Sequence, residues 1–159
     1  MVTKNLPSMT VFYKNDWFHL FDICIDLIAS DMPGKKYRFS IIYYLLSIIY
    51  NIRYQISSQT TAILGVESVS IVYLSVNWIE REIWDIFGIL VHFHPDLRRL
   101  LTDYGFQGFP LRKDFPVSGY EELFYSSFVN LSVYRLIELV QEIRIVKVKF
   151  STISYKKKY

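Results

Sequence analysis

The stretch Asn77–Tyr120, NWIEREIWDIFGILVHFHPDLRRLLTDYGFQGFPLRKDFPVSGY, limits the fold more than any other part of the chain. It begins with helical spacing and ends in a run too punctuated for helix or strand. Three of the five prolines and four of the six glycines in the 159 residues fall inside it. Asn77 reads as an N-cap, and Glu80 three residues on completes a capping-box pattern. Ile79, Ile83, Ile86 and Phe87 share one helical face. Arg81 and Asp85 are spaced for an i,i+4 pair, and Gly88 stands where a helix stops in the left-handed conformation. Pro95, with Asp96 in the first turn, predicts a second short helix carrying Arg98 and Arg99 and fading near Asp103.

Residues 102–120 are then broken by Gly105, Gly108, Pro110, Pro116 and Gly119. Fixing such a backbone costs about 1–2 kcal/mol per residue. That exceeds what its few large apolar side chains, Tyr104, Phe106, Phe109, Leu111, Phe115 and Val117, return at about 1.5–3 kcal/mol each. The segment does not order itself. It must be disordered, or hydrogen-bonded along its own domain or a partner, and its aromatics argue against disorder. Docking on a partner is the leading expectation.

The rest of the chain is apolar, with 52% hydrophobic and 18% aromatic residues. Its longest charge-free run, residues 39–52, has 14 residues, short of the roughly 20 a spanning helix needs. Rich in Ile and Tyr, it suits a buried strand, expected over 38–49. Asn51 marks a reversal, and Tyr54 and Ile56 alternate with polar residues as in an antiparallel partner strand. Pro33-Gly34 forces a turn. Upstream, FDICIDLIASD reads equally as strand, from Ile23, Ile25 and Leu27, or as helix, from Asp22 and Asp26. Met9–Tyr13 reads as an edge strand, and Asp16 as the cap of a short helix from Trp17. Residues 67–76 read as irregular or weakly helical.

After Tyr120 two patterns compete. Val133, Leu136, Ile137, Val140 and Ile143 have helical spacing, whereas the flanks of Ser126-Ser127 suit a hairpin. Val146, Val148 and Phe150 alternate with lysines in strand fashion, and 151–159 reads as a basic tail. The fold class expected is α+β: a small, mostly antiparallel sheet with helices, followed by an extended C-terminal arm with little regular structure. The expected division is an α+β domain over 1–94, a partner-binding arm over 95–150 and the tail.

The net charge is +3, with Lys156, Lys157 and Lys158 supplying that excess, so no general polyanion-binding surface is expected. Cys24 is the one cysteine, which excludes an internal disulfide and any multi-thiolate metal or iron–sulfur site within this chain. The first residues lack the apolar core of a secretory signal and the Arg-rich pattern of a transit peptide. Alanine occurs only at Ala29 and Ala62; A+T-rich codons, as in an organelle genome, would cause this.

Charged groups in the central stretch invite a catalytic reading. Glu80, Glu82 and Asp85 could serve as acid/base carboxylates, but a capped, solvated helix face explains them as well. His92 and His94 lack a third metal ligand nearby. Arg98, Arg99, Arg112 and Lys113 are interleaved with Asp96, Asp103 and Asp114, which suits balanced ion pairs at an interface better than phosphate contacts. No phosphate loop or Ser-His-Asp set is present.

EREIWDIFGI, followed by HPDLRRLLTDYGFQGFPLRKDFPVSGYEE, resembles the signature of the 30-kilodalton subunit of respiratory complex I. This is the NuoC type, called NADH dehydrogenase subunit 9 when a mitochondrion encodes it. DMPGKKYRFSIIYYLLS and IELVQEIR resemble other parts of that family. The resemblance implies an α+β domain with an extended arm, and it favours the hairpin around Ser126. It implies that the chain itself binds no cofactor, with FMN, iron–sulfur clusters and ubiquinone on other subunits. The implied place is the hydrophilic arm on the matrix side of the mitochondrial inner membrane, against the 49-kilodalton quinone-module subunit. No membrane span and no nucleic-acid partner is implied. The expected partner-facing residues are Glu80, Arg81, Glu82 and Asp85; then His94, Pro95, Asp96, Arg98, Arg99 and Asp103; then Tyr104, Phe106, Phe109 and Pro110; and finally Arg112, Lys113, Asp114, Phe115 and Pro116. Phe109 stands where the family usually has His, and the N-terminus is short where the family has a full helix. An organellar RNA-binding or ribosomal protein, suggested by the basic tail, and the equivalent subunit of a membrane-bound hydrogenase are the alternatives.

Overall fold

The computed structural model describes residues 5–141 and 143–144, so the strand expected over 146–150 and the basic tail lie outside the described residues. The contacts divide the chain into two compact units, residues 1–119 and 120–159. The division expected after residue 94 thus differs from the division of contacts, and the irregular run up to 119 packs within the first unit.

The first unit is built on β2 (Phe39–Ser47), the centre of a three-stranded antiparallel sheet between β1 (Ile23–Asp31) and β3 (Ile52–Thr60). An uncharged run that is apolar at successive positions explains its central place. Phe39, Ile41, Tyr43 and Leu45 are fully buried on one face, and Ile42, Tyr44 and Leu46 are half-buried on the other. The turns fall as expected: Gly34 has φ 98° and Asn51 has φ 51°, values that favour Gly and Asn. FDICIDLIASD resolves as strand, with a bulge between Cys24 and Asp26.

The N-terminus differs from the edge strand expected at Met9–Tyr13. It forms α1 (Leu6–Asn15), with Pro7 in its first turn. Leu6 and Thr10 are buried one turn apart, and Tyr13 packs against the same core. A threonine on the buried stripe hid the period; its hydroxyl donates to the Pro7 carbonyl at 2.8 Å. This helix occupies the place where the resemblance implied one. Asp16 ends α1 instead of starting a helix: its carbonyl accepts the His19 and Leu20 amides.

Downstream lie β4 (Val66–Glu67), α2 (Val76–Phe87) and β5 (Val91–His92), with β4 and β5 paired in parallel. The stripe on α2 faces the core as expected, through Val76 and Ile83 with Ile79 and Phe87 beside them. Its start does not follow the capping box. The helix begins after Ser75, whose hydroxyl donates to the Cys24 carbonyl at 2.9 Å and makes no cap bond, and Glu80 is turned inward. Gly88 closes it at φ 67°, and its amide donates to the Trp84 carbonyl at 2.9 Å. No second helix forms at Pro95. Among the described residues, no helix is long and apolar enough to cross a membrane.

The second unit holds a hairpin of β6 (Glu121–Ser126) and β7 (Leu131–Leu136), reversed at Asn130 with φ 55°. This decides the contest after Tyr120 against the helix. The Ile137 amide extends the ladder to the Tyr120 carbonyl at 3.0 Å.

Candidate docking site on the irregular segment

Asp85 organises the segment after α2. Its side chain is fully buried. One carboxylate oxygen accepts the amides of Leu100, Leu101 and Thr102 at 3.1, 2.6 and 2.9 Å. The other accepts the Thr102 hydroxyl at 2.6 Å and Arg99 Nη1 at 3.1 Å. Burial pushes the carboxyl up, but these donors overcome it and bring it down to about 2. The expected Arg81–Asp85 pair is therefore absent. Arg81 instead donates to the carbonyls of Arg98 and Arg99, at 3.3 and 3.4 Å, and lies over the Trp78 ring. Claimed from both sides, the backbone of 98–102 cannot make helical bonds, which is why Pro95 starts no helix.

A second anchor is aromatic. Arg112 donates to the carbonyls of Phe87 and Gly88 at 2.5 and 3.1 Å, capping the open carboxyl end of α2. Phe109 fits beneath it, 4.3 Å from ring centre to guanidinium, and meets Trp84 edge-on at 6.0 Å. Arg99 covers the same ring and donates to the Gly108 carbonyl at 3.0 Å. The space beside Gly88 is closed, since a Cβ there would sit 2.5 Å from Arg112 and 2.6 Å from Phe109. Phe109 thus has a packing role. Phe106 and Phe115 pair at 6.0 Å, with Phe115 filling the space left by Gly108.

The third anchor is Asp31 on β1, which lies outside the expected partner-facing residues. It binds Arg38 through two bonds of 2.7 Å and accepts the Lys113 amide at 2.8 Å. Arg38 also reaches Asp114 at 3.0 Å. Arg38 holds both carboxyls below the usual range. The signal was an acid and an arginine bracketing the Pro33-Gly34 turn in an apolar region. These three anchors tie residues 99–102, 108–109 and 112–114 to the chain's own domain, one of the two ways in which the irregular run was expected to be held.

The remaining candidates separate. Glu80 is buried and accepts the Ser68 hydroxyl at 2.6 Å and the Val69 amide at 2.7 Å. Burial drives its carboxyl up to about 7 despite these bonds. His94 lies 3.7 Å away; its Nδ1 accepts the Asp96 amide and its Nε2 faces the Asn77 carbonyl at 3.2 Å. His92 bonds the Leu64 carbonyl instead of joining His94. Asp96 pairs with Arg98 at the surface at 2.9 Å, and Asp103 accepts the Tyr104 amide at 2.8 Å. Glu82, Pro95, Tyr104, Lys113 and Pro116 are exposed, and Pro110 is half-buried. Among the described residues, no three His, Cys, Asp or Glu side chains gather as a metal site.

The geometry defines an α+β domain that straps an irregular segment to its own helix and sheet, its buried charges spent on backbone groups. Residues 2–121 match the model of the respiratory-chain NADH dehydrogenase 30 Kd subunit family, and the chain belongs to that family. It is 50% identical over 139 residues to NADH-ubiquinone oxidoreductase subunit 9 of Prototheca wickerhamii, covering 87% of this chain and 72% of that protein. It is 44% identical over 140 residues to NADH-ubiquinone oxidoreductase subunit 9 of Reclinomonas americana, covering 88% and 69%. With NADH dehydrogenase (ubiquinone) iron-sulfur protein 3 of Solanum tuberosum the identity is 43% over 142 residues, covering 89% and 75%. The family resemblance seen in the central stretch holds across most of the chain, and the ribosomal alternative falls away.

Proposed function

We propose that this chain is a non-catalytic core subunit that scaffolds the hydrophilic arm of complex I, on the matrix side of the mitochondrial inner membrane, and clamps the 49-kilodalton quinone-module subunit. FMN, iron–sulfur clusters and ubiquinone reside on other subunits in this reading. The hairpin of the second unit carries the proposal. Leu123, Tyr125, Phe128 and Leu131 are each more than half exposed, Phe128 completely, and a lone two-stranded hairpin is marginal in water. Such a surface suits burial against a large partner. The test is the double variant Phe128→Asp, Leu131→Asp in the full chain. The expected outcome is a folded chain that fails to enter the complex on native gels, with normal NADH oxidation per complex that does form. Full assembly with slow turnover would overturn the reading.

A further inference from the structure

We infer that the groove between the outer edge of β1 and α2 receives an extended, basic segment of another polypeptide, which adds a strand to the sheet. This rests on the subunit reading above and names a second place of contact, separate from the hairpin.

The groove has a volume of about 260 Å³. Four consecutive β1 residues, 26–29, line one side. Side chains of consecutive strand residues point to opposite faces, so it is the strand's edge that borders the groove. Nothing in the sheet pairs with that edge, because the strand order is β1-β2-β3. Glu82, Ile83, Ile86 and Phe87 form the opposite wall, a stripe one turn apart on α2, and Leu111 completes the lining. The space has a strand edge on one side and mainly apolar side chains on the other, the arrangement β-strand addition uses. Along that edge the Leu27 amide bonds the Asp26 carboxylate at 2.7 Å, a bond that an incoming strand replaces.

Free edges are normally blunted by lysine, proline or strong polarity. The two edges of this sheet differ in that respect. β3 carries Arg53, Gln55 and Gln59, whereas β1 over 23–30 carries neither Lys, Arg nor Pro, and leaves Ile23, Ile25 and Ile28 substantially exposed. Beyond the bulge between Cys24 and Asp26, the residues beside the groove run in unbroken register from Asp26 to Asp31. Charge selects the occupant. Asp26 and Glu82 face the groove from opposite walls, and among the described residues neither forms an ion pair. An incoming strand with alternate apolar side chains and a Lys or Arg between these carboxylates satisfies both walls. A second copy of this chain, pairing β1 with β1, would instead bring Asp26 against like charge.

The test places a photo-reactive phenylalanine analogue at Leu111 of the full chain in the assembled complex, and identifies the crosslinked peptide by mass spectrometry. The expected partner is an extended segment, bearing Lys or Arg, of another polypeptide of the complex. Because Glu82 is exposed on α2, Glu82→Lys should keep the melting temperature while cutting the crosslink yield roughly tenfold, as charge reversal at a complementary contact does; Glu82→Gln should fall between. A crosslink to a second copy, to this chain's own C-terminus or to an acidic segment would overturn the inference, as would no crosslink or an unchanged yield in Glu82→Lys. The two proposals fail separately: a chain present in the complex without the Leu111 crosslink removes only the groove, whereas a chain absent from the complex removes the subunit reading itself.

Discussion

Residues 95–119 and the β6–β7 hairpin have opposite virtues. The first has almost no regular backbone pattern, yet Asp85 and Asp31 hold its backbone at residues 100–102 and 113, and its own Arg112 bonds the carboxyl end of α2. The second has a continuous antiparallel ladder, yet every residue of β7 is exposed. Regularity and anchoring are therefore separate properties. A ladder satisfies the backbone and leaves side chains free for something else. Buried charges aimed at backbone donors can order a coil without giving it a repeat.

The contrast breaks first at Asp85. Asp85→Ala leaves the amides of Leu100, Leu101 and Thr102 without their acceptor and takes one of several partners from Arg99, and should cost about 3 kcal/mol. Denaturant unfolding should show that loss, and limited proteolysis should cut within 95–119 while the hairpin's pattern is unchanged. Acid should do the same gradually. The folded carboxyl is held at about 2, below its ordinary 3.8, so its contribution is complete above about 3.8 and lost as pH falls towards 2.

Glu80 carries the opposite sign. Its folded value of about 7 lies above the ordinary 4.5, so its contribution is complete below about 4.5 and disappears as pH rises through 7. The groups facing it are His94, Ser68, Tyr43 and Cys24, which gives it no fixed cation. Glu80→Gln should flatten the decline of stability between pH 4.5 and 7, worth up to about 3 kcal/mol. A pH series of thermal melts would measure it, and an unchanged slope would reject the assignment.

Arg112→Ala should cost about 2 kcal/mol, through two lost carbonyl bonds and the uncovered Phe109 ring. Arg112→Lys should recover little, because one ammonium cannot reproduce the fork. Both variants should also lower assembly, since the strap positions neighbouring exposed residues. The smallest effect belongs to the hairpin. Glu122 meets Arg135 across the strands at a half-exposed site, and Glu122→Gln should change stability by less than about 1 kcal/mol. A larger loss on denaturant unfolding would mean that the ladder is anchored after all.

Where sequence legibility ended follows from the same contrast. The charge-free β2 run, the Pro33-Gly34 turn, the Asn51 reversal and the Gly88 stop are local patterns, and each lies where the residues placed it. Asp85 was misread because its partners are amides up to 17 residues away, whereas i,i+4 spacing offered a nearer one in Arg81. Glu80 fitted a capping box and instead serves Ser68, 12 residues upstream. Asp31 escaped notice because its second partner, the Lys113 amide, is 82 residues distant. The irregularity of 102–120 was legible. What holds it was not, because coil anchored by side chains leaves no period to read.

The 82-residue reach of Asp31 also sets an order of events during synthesis. Asp85 leaves the ribosome well before Thr102 can meet it, and the β1–β2 turn long before residue 113 arrives. Until then, α2 carries a carboxylate that must stay wet, so its second half cannot seal against the segment that will cover it. The domain is finished by its last laid piece, as a seam is finished by its final stitch.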